Sequence, residues 1–169
     1  MNKFIYILLI VLTLSSCSEY QKALKSDDVE FKTKVFTSQI EKKKYSKAIR
    51  LFEQYATSYR GKPQGESAFL NYAKALYATK QYITAAYQFE SFASSYPKSV
   101  NAEEAAFLGA ECYSKVSPRY SLDQVDTEKA LSKIQVFVNK YPNSQYLTKA
   151  NEIVKELTEC QGKAVDMGG

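Results

Sequence analysis

Apolar and polar positions recur with a helical period over most of the chain. Three segments, 45–59, 82–97 and 127–142, align on one pattern. A small residue, a large apolar residue and a third apolar, mostly aromatic, residue stand at relative positions 0, 4 and 7. These are Ala48, Phe52 and Tyr55, then Ala85, Phe89 and Phe92, then Ala130, Ile134 and Phe137. Side chains so spaced share one face of an α-helix. The alanines let a neighbouring helix approach closely, and the larger side chains fill the space beside it. Pro97 and Pro142 close the second and third segments, because proline cannot continue the helical hydrogen-bond ladder. Another helical pattern precedes each segment, at roughly 29–43, 65–79 and 102–116, and a further one follows at 147–158. The repeating unit is therefore a helix pair, offset by 37 residues between the first and second copies and by 45 between the second and third.

Helix pairs with this spacing resemble the tetratricopeptide repeat. The match is strongest in the second helix of each pair. In the first helices, the leading large and small positions are Phe69 and Ala73 in repeat two, Ala106 and Ala110 in repeat three, and Lys32 and Phe36 in repeat one, which fits least well. The fold expected is all-α, a right-handed TPR-like solenoid of helical hairpins. Tyr-Pro-x-Ser occurs at Tyr96–Ser99 and Tyr141–Ser144, whereas the first copy has Tyr59-Arg60-Gly61. The longer third repeat carries its extra residues around 117–123. There Pro118 breaks one helix, and Asp126 or Thr127 is placed to cap the next. An insertion at that point projects from the stack as a loop.

The first residues follow a different logic. Lys3 makes the start basic, and an apolar stretch runs from Phe4 to Leu14 with Thr13 as its one polar interruption. A transmembrane helix needs about 20 apolar residues, so this stretch has signal-peptide length instead. Leu14-Ser15-Ser16-Cys17 resembles a bacterial lipobox, with an aliphatic residue and two small ones before the cysteine that receives a diacylglyceryl group. Cys17 is thus the expected lipid-attachment residue, giving a protein anchored to a membrane but not spanning it. The organisation expected is a signal peptide over 1–16, a lipidated tether over 17–28 and a repeat domain over 29–158. Residues 159–169, which lack an amphipathic pattern, form an unstructured or truncated tail.

Composition narrows the chemistry. The 169 residues contain no His and few Pro or Gly, a balance that fits an ordered helical protein without the commonest general base and metal ligand. The sequence contains no phosphate-binding Gly-rich loop, nucleophile elbow or metal-ligand cluster, so neither an enzyme nor a cofactor is expected beyond the covalent lipid. Net charge is +5, or +4 without Lys3, with both signs interspersed. That suits an acidic partner or an anionic membrane surface and, more simply, a solvated mixed-charge surface; nothing else supports nucleic-acid binding. Glu103-Glu104 and Asp27-Asp28 fall near helix starts, where they complement the helix dipole. Cys112 and Cys160 lie on neighbouring predicted helices. In an oxidising compartment either a disulfide or two unpaired thiols fits, since nothing fixes their distance.

By resemblance to such repeats, the first helix of each pair lines a concave groove able to hold an extended peptide or a helix of a partner. That mapping points to Leu70, Lys74, Tyr77, Phe107, Glu111 and Lys115. The lipobox, the segment Tyr45–Glu53, the segment Ala85–Ser99 and the insertion 117–124 together resemble the BamD family, TPR lipoproteins of the outer-membrane β-barrel assembly machinery. The insertion is similar to that of Bacteroidetes forms. The likeness extends over 17–159. It implies an outer-membrane location facing the periplasm, binding to the barrel protein BamA and to unfolded outer-membrane proteins, and a relative shortened at its C-terminus, where the family makes much of its BamA contact. Another periplasmic TPR lipoprotein, of cell-envelope or Tol–Pal type, is the alternative expectation.

Overall fold

A computed structural model describes residues 19–117 and 125–167, with side chains as far as Glu159. Cys17, the inserted residues 118–124 and the side chain of Cys160 lie outside the described set. The described residues fold into helices joined by short turns: α1 (19–25), α2 (Val29–Glu41), α3 (Tyr45–Glu53), α4 (Ala56–Tyr59), a 3₁₀ turn (Pro63–Gly65), α5 (Glu66–Ala78), α6 (Tyr82–Ser95), α7 (Ala102–Val116), α8 (Val125–Lys140) and α9 (Leu147–Met167). The all-α, TPR-like reading is confirmed. The chain divides after Ala68 into two compact units, described in turn.

In the first unit, Asp28 caps α2 by accepting from the amides of Glu30 and Phe31 at 2.9 and 3.1 Å. The helix ends at a Schellman turn, in which Lys43 adopts φ 54° and the amides of Lys43 and Lys44 reach back to the carbonyls of Ile40 and Gln39. The chain then reverses into α3, which packs its Ala48, Leu51 and Phe52 against Val35 and Phe36 of α2. The Phe36 and Phe52 rings lie 5.1 Å apart. Lys32, at the position where the repeat favours a large apolar residue, is buried with its ammonium donating to Gln54 Oε1 at 2.8 Å.

Two expectations change here. Residues 19–25, expected within a polar tether, form a helix because Tyr20 and Ala23 are buried, with the Tyr20 hydroxyl donating to the Lys47 carbonyl. The second helix of this pair, expected to run unbroken to Tyr59, stops at Glu53. The amides of Gln54 and Tyr55 bond three residues back and tighten the last turn, and Tyr55 leaves helical geometry at φ −129°.

In the second unit the hairpins follow one another without a break. The turn after α5 reproduces the one after α2: Lys80 takes φ 61°, and the amides of Lys80 and Gln81 return to Tyr77 and Leu76. Lys43 and Lys80 are 37 residues apart, the spacing of the sequence repeat. The Tyr-Pro-x-Ser loops also match each other. Ser99 and Ser144 each give an amide to the tyrosine carbonyl three residues back, and each hydroxyl accepts an amide two residues ahead, at Asn101 and Tyr146. The motif thus ends one helix and starts the next.

Ala48, Ala85, Ala130, Phe52, Phe89 and Ile134 are all 0% exposed, and Tyr55, Phe92 and Phe137 are 2% exposed. All nine repeat positions are therefore core. Burying a large apolar side chain stabilises by about 1.5–3 kcal/mol, so these stripes supply much of what holds the helices together. At Gly109 of α7 a Cβ would lie 3.3 Å from the Cβ of Phe89, which is how closely α6 and α7 approach. Helix α8 starts at Val125, so Asp126 and Thr127 lie inside its first turn rather than capping it. Thr127 is buried, and its hydroxyl meets that of Ser117 at 2.8 Å across the inserted residues. The last helix, expected to stop near 158, continues to Met167.

Candidate partner-binding surface

Side-chain contacts in the second unit connect alternate helices, which is the signature of stacked hairpins. Lys74 on α5 donates to Glu104 on α7 at 2.9 Å, and the Tyr77 hydroxyl on α5 donates to Glu111 Oε2 on α7 at 3.0 Å. Glu111 Oε1 then receives Lys149 on α9 at 3.0 Å and Lys115, one turn along α7, at 3.8 Å. The first helices of successive pairs thus lie side by side. On the second helices, Lys133 of α8 donates to Glu90 of α6 at 2.6 Å.

The six residues expected to line the groove divide by depth. Leu70 and Phe107 are buried; Phe107 stacks on Tyr146 at 4.8 Å with 9° between the rings and also meets Phe137 edge-on. Glu111 is 3% exposed, a carboxylate kept in the interior by a tyrosine hydroxyl and two ammonium groups. Such burial is tolerated only when the charge is paired. Lys74, Tyr77 and Lys115 reach solvent at least in part. The surface that a partner would meet is therefore mixed: ammonium groups of Lys74, Lys115 and Lys149, the Glu104 carboxylate, and the edges of Tyr77 and Tyr146.

Three of those contributors, Glu104, Tyr146 and Lys149, lie outside the six residues that the repeat mapping singles out. Continuing the same mapping into the fourth first-type helix would have found Lys149. Glu104 was read for its place in the first turn of α7, which it does occupy, but its partner on α5 was not visible in one dimension.

Local electrostatics keep two groups beside Glu111 protonated. Burial and then the Glu111 charge push the Tyr77 hydroxyl above its ordinary range. The same two causes raise the Cys112 thiol to about 12, and Cys112 is free and wholly buried. A protonated, inaccessible thiol is not a nucleophile. A cleft of about 470 Å³ opens between α6 and α8 over Ala106 and Ala110 of α7, with Lys133 and Glu90 among its walls and Phe137 and Tyr141 beside them. Among the described residues, no cluster of three or more His, Cys, Asp or Glu is placed to hold a metal, and no helix is long and apolar enough to cross a membrane.

Stacked helical hairpins presenting a polar-aromatic face, behind an acylation signal, define a lipid-anchored repeat protein. The chain belongs to the outer membrane lipoprotein family YfiO, whose pattern matches residues 27–162. A prokaryotic membrane lipoprotein lipid attachment site matches residues 1–18, the segment that contains Cys17. The chain is also 27% identical over 125 residues to the outer membrane protein assembly factor BamD of Caulobacter vibrioides, a match covering 73% of this chain and 41% of that protein. It thus spans less than half the length of that curated relative. Family and attachment site together place this protein at the outer membrane, held by lipid.

Proposed function

We propose that this protein is a scaffold subunit of the machinery that inserts β-barrels into the outer membrane. On this reading acyl chains on Cys17 hold the helical hairpins at the periplasmic face, where they bind a BamA-like barrel protein and segments of unfolded outer-membrane proteins. The protein acts by binding and performs no turnover. The name of the Caulobacter relative, an outer membrane protein assembly factor, carries the functional part of the reading. The polar-aromatic face of α5, α7 and α9 supports the binding part. Lys74, Tyr77 and Lys115 are its accessible contacts, while Leu70, Phe107 and Glu111 hold those helices in place beneath them. An extended or helical segment could pair its charges with the exposed ammonium groups and lay apolar side chains on the tyrosine edges.

A photo-crosslinking residue at Tyr77 or Lys115 of the acylated chain tests this in cells. The expected adducts are an outer-membrane barrel protein with periplasmic domains and nascent barrel proteins. Adducts confined to cell-wall factors, with barrel assembly intact on depletion, would overturn it.

A further inference from the structure

Charge is shared unequally between the two units. Residues 19–68 hold eleven Lys and Arg against seven Asp and Glu, whereas residues 69–169 hold eleven of each. The excess narrows further: residues 19–50 carry nine basic side chains against five acidic ones, and so contain the whole of it. In sequence these residues look interspersed with acids. In three dimensions two of them, on α3, lie close to Tyr20 of α1. The Lys47 ammonium lies 5.1 Å from the centre of the Tyr20 ring, and Arg50 is close enough to act electrostatically on the Tyr20 hydroxyl. Lys44 caps the start of α3 one turn before Lys47, Lys43 sits beside it in the turn, and Lys22 and Lys25 are exposed on α1 itself. Among the described residues, Lys22, Lys25, Lys43 and Lys44 take part in no ion pair. The five acids of the same stretch, Glu19, Asp27, Asp28, Glu30 and Glu41, are also exposed and do not balance its nine basic side chains.

The place of this patch along the chain gives it a target. The attachment-site segment ends at residue 18, and α1 is already helical at Glu19. Two residues of chain span at most about 7 Å, so the acylated residue is tied within that distance of the start of α1. Because Tyr20 ties α1 to α3 and Ala23 is buried, α1 is no loose leash, and the lysines on and beside it are kept close to the acylated residue. We infer that Lys22, Lys25, Lys43, Lys44, Lys47 and Arg50 form a second membrane contact, which binds anionic phospholipid headgroups of the leaflet that receives the acyl chains. Each such cation near an anionic surface adds attraction within a Debye length, and an acyl anchor combined with a basic patch is a recurrent two-part attachment. The patch orients the first unit relative to the membrane, which acyl chains alone do not do. It does not depend on the identity of the protein partner.

The test uses the full mature chain carrying Cys17→Ser, so that no acyl chain masks the effect. Binding is measured by co-sedimentation with vesicles of equal parts phosphatidylglycerol and phosphatidylcholine, and with vesicles of phosphatidylcholine alone. The inference expects binding to the anionic vesicles only, released by raised salt. Lys43→Gln/Lys44→Gln should weaken it by about fivefold per lysine removed, hence about twenty-five-fold in all. Lys43→Arg/Lys44→Arg should restore it. The control Lys80→Gln/Lys98→Gln makes the same charge change in the second unit, with Lys80 in the same left-handed conformation as Lys43, and should bind like the parent. Circular dichroism of each variant should match the parent. Equal binding to both vesicle types, no binding to either, or equal loss in the control would overturn the inference. So would anionic vesicles being displaced at equimolar amounts by an acidic protein partner, since the patch would then belong to that partner.

Discussion

The two units build the same hairpin core and join it differently. In both, the residues at positions 0, 4 and 7 of the second helix are buried to the same extent. The first unit nevertheless breaks its second helix at Gln54, seats a lysine where the repeat favours a large apolar side chain, and leaves through Tyr59-Arg60-Gly61, with Gly61 at φ 73°. The second unit runs α6 without interruption to Ser95 and passes twice through Tyr-Pro-x-Ser. It contains a buried carboxylate where the first contains a buried ammonium. The hairpins thus share their core positions, while the joints decide where a helix stops and how the next one starts.

Substitutions can break that comparison or sharpen it. The largest effect is expected for Phe52→Ala and Phe89→Ala, each costing about 3–5 kcal/mol in urea unfolding. Near-equal losses would establish the equivalence of the two cores, and a much smaller loss at Phe52 would break it. Next come the buried charges. Glu111→Ala leaves Tyr77 without its acceptor, and Gln54→Ala leaves the Lys32 ammonium without its acceptor. Each should destabilise by about 1–3 kcal/mol, with the effect of Glu111→Ala falling as salt screens the partly exposed lysines. Ser99→Ala should cost about 1 kcal/mol by removing the acceptor at the start of the following helix, and Ser144→Ala should cost more in thermal melts, because its buried hydroxyl also donates to the Glu103 carboxylate. The smallest change has the opposite sign. Lys80→Gly relieves a left-handed residue and should stabilise by about 0.5–1 kcal/mol, as should Lys43→Gly, because the two turns share one geometry.

Much of the fold was legible because it rests on periodicity. The 0, 4, 7 stripe depends only on which face of a helix is covered, and that is written along the chain. Helix α1 was not legible, since Tyr20, Ala23 and Leu24 are the few apolar positions in a polar stretch, and its burial depends on Tyr20 meeting Lys47 of α3. The stop at Glu53 was hidden for a related reason: nothing in Gln54 or Tyr55 forbids helix, and the bend accompanies contacts to Lys32 on another helix. The binding face was half legible. Spacing found the helices that line it, but on such a helix one side chain points to solvent and the next, such as Phe107, beneath neighbouring rings; only the positions of Tyr146, just before α9, and of Phe137 on α8 distinguish them. The interior place of Glu111 likewise needed Lys149, 38 residues away, to be intelligible.

The hydroxyl pair of Ser117 and Thr127 has a practical corollary. The chain departs and re-enters the stack at two side chains that touch each other, so the helices on either side are already fastened to one another whatever joins them. Such a closed gate is a natural port for splicing in foreign sequence. A fluorescent or affinity cassette placed between these residues would report on the protein at its working location while leaving the helix packing as it stands.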